Sequence, residues 1–307
     1  MTMHAGQLAV STEQVRALVA RQFPQWRELR VRKITSAGTD NAIFRIGEHF
    51  AARFPIQPMD ADTAISWLRA EADAARELAG RTRFATPEPV AIGEPGEGYP
   101  LPWAVQTWLA GTVASNDGLG ESVPFARDLA EFIGGVRSID TRGRTFRGRG
   151  RGGDLRSHDE WMQTCLSHSE GLLDVPSLRL LWAAFRELPR EAPDMMTHGD
   201  LMPGNLLVSG GRLTGVLDVG GLGPADPALD LVCAWHALEA APRQMLRDVL
   251  GSDDCEWQRG MAWAFQQAMG LVWYYADTNP VMSLTGGRTL ERLLAAQRGG
   301  HARTTLP

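Results

Sequence analysis

The spacing of apolar residues divides the chain into a strand-rich first third and a longer, helix-rich remainder. A capping-box pattern at Ser11 is followed by apolar residues at helical spacing, which predicts a first helix that ends by Pro24. Short segments rich in β-branched and aromatic residues then alternate with small polar turns, a pattern that indicates antiparallel strands. We expect these strands near 31–34, 43–46, 50–54, 90–92 and 104–108, with one internal helix at about 62–78.

Longer helical patterns dominate from Phe125 onward. They cover 125–139, 159–172, 177–188 and most of 226–300. One strand-rich island interrupts them at 206–217, where two apolar runs flank a Ser-Gly-Gly turn and predict a hairpin. The pattern therefore predicts an α+β protein with two lobes, a small antiparallel β-rich lobe over 1–108 and a larger, mainly helical lobe over 109–307. A binding site is expected at their junction.

Composition excludes several classes of protein. The 307 residues are 44% hydrophobic and 22% charged, as expected of a globular chain. No apolar run approaches the roughly 18 residues that a membrane span needs, and Glu13 and Arg16 interrupt the region where a signal peptide would be apolar. Three scattered cysteines suit a reducing compartment. We therefore expect a cytoplasmic protein without a membrane partner.

The charge is also informative. The formal net charge of −5 is spread evenly, so nothing resembles the basic field of a nucleic-acid-binding domain. Lys33 is the single lysine among 31 basic residues. A mechanism that needs a fixed positive charge elsewhere must therefore use arginine. We expect no nucleic-acid partner.

The stretch from His198 to Val208, followed by Asp218, carries the clearest chemistry. Asp200 and Asn205 precede the predicted hairpin and Asp218 ends its second strand, so folding of the hairpin brings the three together. Phosphoryl transfer needs a carboxylate that accepts the proton of the attacking hydroxyl, and two oxygen ligands for Mg²⁺ on the nucleotide phosphates. Protein kinases space the Asp and Asn of their catalytic loop in the same way. Alternatively, these residues only cap and close turns.

Together with 223–231, this stretch resembles the aminoglycoside phosphotransferase family, small-molecule kinases with a protein-kinase-like bilobal fold. The resemblance extends from about Ile34 to the C-terminal helices and is most specific over 198–231. It implies that Asp200 is the catalytic base, that Asn205 and Asp218 hold Mg²⁺, and that Asp230 anchors the catalytic loop. It implies the reaction far better than the acceptor, because the family also includes macrolide, peptide-antibiotic and metabolite kinases.

The first lobe offers a phosphate-binding cation. Arg53 occupies the strand on which protein kinases place a lysine, and Glu71 lies beside the apolar stripe of the helix that follows. A carboxylate at the edge of a buried face needs a partner, so we expect an ion pair between Arg53 and Glu71. The guanidinium group of arginine is planar and forked, so it does not place its charge and donors where the ammonium group of lysine would. The alternative is that both side chains face solvent.

Two further segments are assigned to the nucleotide by the resemblance. The turn at 36–41 falls where a triphosphate-covering loop belongs, which implies contacts from Ser36, Gly38 and Thr39. The segment 106–109 falls at the connector between lobes, which implies contacts from Gln106 and Trp108 to the base. Neither segment separates ATP from GTP as the donor.

The Arg/Gly-rich run at 142–153 supports a different hypothesis. Such runs bind single-stranded nucleic acid in some proteins, but this one is short, flanked by acids and set between helices. It is better interpreted as an exposed loop on the acceptor side. The sequence thus predicts a nucleotide- and Mg²⁺-dependent O-phosphotransferase for a small hydroxylated molecule, an aminoglycoside-type antibiotic being one candidate. A macrolide, peptide-antibiotic or metabolite kinase, and a catalytically silent binding protein, stay open.

Overall fold

The computed structural model describes residues 6–35, 40–114, 118–148 and 150–304, the last six of these by backbone alone. The first part of the chain forms an antiparallel sheet with a helix against each face. Its elements are α1 (Thr12–Gln22), β1 (Val31–Ile34), β2 (Asn41–Ile46), β3 (Phe50–Pro55), α2 (Ala61–Leu78), β4 (Pro89–Gly93) and β5 (Trp103–Thr107). The predicted strands and the internal helix are confirmed to within a few residues.

The sheet has the order β1-β2-β3-β5-β4, and every neighbouring pair is antiparallel. Strand β3 is therefore central. Because side chains alternate along a strand, Ala52 and Phe54 pack in the core beneath α1, whereas Arg53 faces the opposite side and contacts α2. Because of this alternation, Arg53 points from the middle of the sheet to the junction between the sheet and the helical region.

The core beneath α1 is dense and aromatic. The Ser11 hydroxyl accepts the backbone N–H of Gln14 at 3.2 Å and the Gln14 side chain accepts the N–H of Ser11 at 2.9 Å, so the predicted capping box is present. The fully buried rings of Phe54 and Trp103 stack with their centroids 4.7 Å apart. Truncating such a ring costs about 3–5 kcal/mol. This packing holds β3, and with it Arg53, in place.

The rest of the chain is mainly helical. Its elements are β6 (Thr112–Val113), α3 (Val123–Arg137), α4 (Asp159–His168), α5 (Val175–Phe185), β7 (Met195–Thr197), β8 (Leu206–Ser209), β9 (Arg212–Val216), β10 (Gly223–Ala225), α6 (Val232–Ala237), α7 (Ala240–Leu250), α8 (Asp254–Tyr274) and α9 (Pro280–Thr304). The predicted hairpin is β8–β9. Strands β6, β7 and β10 were not predicted, because two or three residues are too few to show periodicity.

The helical region has one large core that includes α3, α6 and α8. Within it, a buried ion pair joins Arg259 of α8 to Asp226 at 2.7 Å, and the Trp263 indole N–H donates to the same carboxylate at 2.8 Å. These contacts fasten the 3₁₀ turn Pro227–Leu231 to α8. Within the described residues, no helix is long and apolar enough to cross a membrane.

Candidate active site

The loop after β7 is held by a buried carboxylate. Asp230, fully buried in the turn that follows β10, accepts the backbone N–H groups of His198 at 2.8 Å and Gly199 at 2.9 Å. Burial raises the pKa of Asp230, while His198 and the two N–H donors oppose that rise. Asp230 thus anchors the loop, as the family resemblance of the sequence implied.

The imidazole of His198 joins this loop to the end of β9. Its Nε2 lies 3.0 Å from the backbone oxygen of Leu217, and its Nδ1 lies 3.3 Å from the backbone N–H of Asp200. The buried ring therefore fixes the backbone just before Asp200 relative to the residue just before Asp218.

Asp200 is surrounded by donors. Its Oδ1 accepts from Arg151 Nη2 at 2.8 Å and from Gln267 Nε2 at 2.9 Å, and its Oδ2 accepts from Asn205 Nδ2 at 3.1 Å. Burial alone would raise the pKa of Asp200. The charge and hydrogen bond of Arg151, with help from His198 and Gln267, instead bring that pKa below its usual value. Asp200 is therefore an ionised carboxylate, the form that can accept a proton.

Asn205 and Asp218 meet where the ends of the hairpin meet. The backbone N–H of Leu217 donates to the backbone oxygen of Asn205 at 2.7 Å, which brings Asp218 beside the loop. Asp218 has a left-handed backbone with φ of 56°, a conformation that Asp tolerates better than most residues. The three residues predicted to act together are thus brought together by the fold.

The donor set suits a hard cation. Asn205 uses its amide hydrogens on Asp200, and Arg53 contacts Oδ1 of Asp218. Oδ1 of Asn205 and Oδ2 of Asp218 have no hydrogen-bond donor among the described residues, and both are oxygen ligands of the kind that Mg²⁺ prefers. The described part of the chain has no cluster of three His, Cys, Asp or Glu side chains that could hold a metal. The other ligands of a Mg²⁺ ion would be phosphate oxygens and water.

Arg53 bridges two carboxylates. Its Nη1 lies 3.0 Å from Glu71 Oε2, so the ion pair expected from the sequence is present, and its Nη2 lies 3.1 Å from Asp218 Oδ1. The Arg53 side chain is only 11% exposed. Burial raises the pKa of Glu71, against the opposing charge of Arg53. A Cβ at position 220 would lie 2.6 Å from Glu71 Cγ, so this contact requires Gly220.

A cavity of about 120 Å³ lies beside this arginine, between α2 and strands β4 and β5. Its lining includes Arg53, Glu71 and Gln106. Trp108 is not part of it, because its indole stacks under the Arg45 guanidinium, 4.8 Å from the ring centre, and its backbone N–H donates to His49 at 2.7 Å. The base contacts expected of Gln106 and Trp108 stay predictions. The remaining predicted nucleotide contacts, Ser36, Gly38 and Thr39, lie outside the described residues.

Two functional candidates escaped the sequence analysis. Arg151 and Gln267 both donate to Asp200, although they lie 49 and 67 positions away in the chain. Arg151 belongs to the Arg/Gly run, whose flanking acids were a weak signal of intramolecular pairing. Gln267 lies inside a long helix and gave no local signal.

Comparison with known proteins agrees with this geometry. The model of the phosphotransferase enzyme family matches residues 13–264, most of the chain. The chain belongs to this family. The aminoglycoside 3'-phosphotransferase of Escherichia coli is 43% identical over 60 residues, which cover 19% of this chain and 22% of that enzyme. That of Streptomyces fradiae is 41% identical over 83 residues, or 23% and 31% respectively. These matches thus span less than a third of either enzyme.

Solved structures of family members share the fold. The GDP complex of aminoglycoside 2'-phosphotransferase-IIIa superposes with a TM-score of 0.70 at 19% identity, covering 94% of this chain and all of that one (100%). A macrolide 2'-phosphotransferase from Brachybacterium faecium superposes with a TM-score of 0.61 at 17% identity, covering 90% and 98%. The expected α+β architecture, an antiparallel N-terminal sheet joined to a helical C-terminal region, is thereby confirmed.

Proposed function

We propose that the protein is a nucleotide- and Mg²⁺-dependent O-phosphotransferase that phosphorylates a hydroxyl of a small molecule. One observation carries the proposal: the ionised Asp200 is hydrogen-bonded to Asn205, which is joined through Leu217 to Asp218. A proton acceptor thus lies next to two metal-binding oxygens. Family membership and structural relatives that bind GDP support the same reaction.

In the proposed reaction, Asp200 orients the acceptor hydroxyl and receives its proton as the oxygen attacks the terminal phosphorus in line. The bond between that phosphorus and its bridging oxygen breaks, and the nucleoside diphosphate leaves. Arg53, held by Glu71, places positive charge on the phosphates. Asn205 and Asp218 would hold Mg²⁺, which when bound would supply positive charge to neutralise the phosphates. The proton on Asp200 leaves to solvent after the product departs.

We assign the nucleotide to the lobe formed by 1–108, and the catalytic loop and acceptor to 109–307. This division places the boundary just after β5, which ends at Thr107. A cytoplasmic location follows from the need for a nucleoside triphosphate donor and agrees with the three free cysteines, Cys165, Cys233 and Cys255.

The test is a nucleotide-consumption screen with ATP and with GTP over aminoglycosides, macrolides, tuberactinomycin-type peptides and simple alcohols. We expect at least one acceptor to gain a single phosphoryl group, measured by mass spectrometry. Asp200→Asn should lower its turnover about a hundredfold or more and leave nucleotide affinity almost unchanged. Near-normal turnover in folded Asp200→Asn would contradict the assignment of the base. Nucleotide binding without phosphoryl transfer to any acceptor would favour a silent binding protein.

A further inference from the structure

A chain of polar side chains leads from Asp200 into the core of the helical region. The side-chain NH₂ of Gln267 on α8 donates to Asp200, and its Oε1 lies 3.1 Å from Nε2 of His236. His236 of α6 in turn lies 2.8 Å through Nδ1 from the hydroxyl of Thr289 on α9. His236 and Thr289 are fully buried. Three helices therefore contribute one continuous hydrogen-bonded path that ends on the proposed base.

The hydrogens on this path can be assigned from its end. An ionised carboxylate only accepts hydrogen bonds, so the group of Gln267 that faces Asp200 must be the NH₂. The Gln267 oxygen then faces His236 Nε2, which must carry the ring hydrogen. Nδ1 is then an acceptor and lies 2.8 Å from the Thr289 hydroxyl, whose single hydrogen is shared between this nitrogen and the backbone oxygen of Thr285, also 2.8 Å away. Burial lowers the pKa of His236 to about 4, so that the ring stays neutral.

The two carboxylate oxygens of Asp200 consequently differ. Oδ1 accepts from both Arg151 and Gln267, which fills its two lone-pair directions. Oδ2 accepts only from Asn205 among the described residues and keeps one direction open. The open oxygen also lies on the side of the proposed metal ligand, where the phosphates would be.

We infer that Gln267, oriented by neutral His236, is a positioning residue that fixes the carboxylate of Asp200 so that Oδ2 receives the acceptor proton. This inference rests on the proposed function, because it assigns an atom to the proton transfer of that reaction. Neither residue is placed in contact with the substrate. Their effect is to hold the carboxylate in one orientation, because a misplacement of about 1 Å can lower the rate about a hundredfold.

Substitutions can distinguish a positioning role of Gln267 from a purely structural one. Gln267→Leu keeps the volume of the side chain but removes the donor. His236→Leu leaves the Gln267 amide without its orienting partner, whereas His236→Gln retains an N–H at the position of Nε2. The matched control is Gln266→Leu, because Gln266 is buried one residue away on α8 and bonds His158 instead of Asp200.

The first measurement needs no acceptor. Aspartate labelled with ¹³C at the carboxyl group is observed by NMR at pH 8, and the Asp200 signal is recognised by its absence from Asp200→Asn. Loss of the Gln267 hydrogen bond should displace the Asp200 carboxyl signal in Gln267→Leu and in His236→Leu. The signal should return towards its wild-type position in His236→Gln and stay unchanged in Gln266→Leu.

The second measurement uses Mg-ATP or Mg-GTP and the acceptor found by screening. We expect kcat of Gln267→Leu to fall about tenfold at pH 8, with the nucleotide KM unchanged. Loss of a hydrogen-bond donor makes the carboxylate a stronger base, which alone would not slow the reaction. A fall in kcat at pH 8, where the carboxylate is ionised, would therefore come from its lost orientation. An unchanged Asp200 carboxyl signal in Gln267→Leu would overturn the inference, as would an unchanged kcat. If the wild type transfers no phosphoryl group, the proposed function fails, whereas the NMR signal still tests the polar path.

Discussion

Burial of His236 makes the stability of the protein depend on pH in a predictable window. The ring is fully buried on α6, and burial lowers its pKa from 6.5 to about 4. The hydrogen bond to Gln267 and the charge of Asp200 favour its protonation, while Arg151 and Arg292 oppose it. The unfolded chain takes up this proton near pH 6.5 and the folded chain only near pH 4. The stabilisation is therefore complete above pH 6.5 and is lost as the pH falls towards 4.

The size of the effect follows from the difference between the two pKa values. Each pKa unit corresponds to about 1.4 kcal/mol, so the whole window amounts to about 3 kcal/mol. Between pH 8 and pH 5 the expected loss is about 2 kcal/mol. Many carboxylates titrate in the same range, and a variant that lacks only this imidazole is needed to isolate its share.

The assay is urea unfolding of wild type and His236→Gln at pH 8 and pH 5. The variant should be less stable at pH 8, and its deficit should shrink by about 2 kcal/mol at pH 5, because glutamine does not titrate. His49→Gln, at the exposed turn between β2 and β3, is the matched control for the substitution itself. A deficit that stays constant between the two pH values would refute the argument that His236 is buried in its neutral form.

Further predictions concern the nucleotide side of the site. Asp218→Ala should weaken nucleotide binding by calorimetry when Mg²⁺ is present and have little effect without it; equal losses would indicate misfolding. Arg53→Ala should impair nucleotide use more than Arg53→Lys, which keeps the charge but loses the fork that reaches both Glu71 and Asp218. Gly220→Ala should displace Glu71 and raise the nucleotide KM, and an unchanged KM would show that this close contact is unimportant.

The sequence predicts most accurately the parts of the fold that depend on neighbouring residues. The helix capped by Ser11 and the hairpin at 206–217 are marked by local patterns and are both present. The catalytic loop was recognisable because its chemistry occupies one short segment and a single hairpin. By contrast, the helical pattern over 226–300 did not reveal where α6 ends and α7 begins. Burial on all sides hides the periodicity that marks such boundaries.

Contacts between site residues far apart in the chain could be predicted only where a partly buried charge needed an opposite charge beside it. The apolar flank of α2 required a cation for Glu71, and Arg53 was the candidate at the right place in the chain. Nothing comparable indicated that Arg53 also reaches Asp218, 165 positions later. Gln267 is uncharged, so no unpaired charge revealed its contact with Asp200. Such a contact depends on how three helices pack, which no local pattern records.

The Arg/Gly-rich segment shows how packing can produce a composition that resembles a nucleic-acid-binding run. Arg144 pairs with Glu77 near the end of α2, and Arg151 pairs with the catalytic-loop carboxylate. Gly152 has φ of 103°, and a Cβ there would lie 2.7 Å from Ala225. Arg144 and Arg151 thus each face an acid, and Gly152 lies where the chain closely approaches a neighbouring strand. The segment contacts both α2, the helix that carries Glu71, and the loop that carries Asp200. It therefore links the phosphate-binding side of the site to the proposed base.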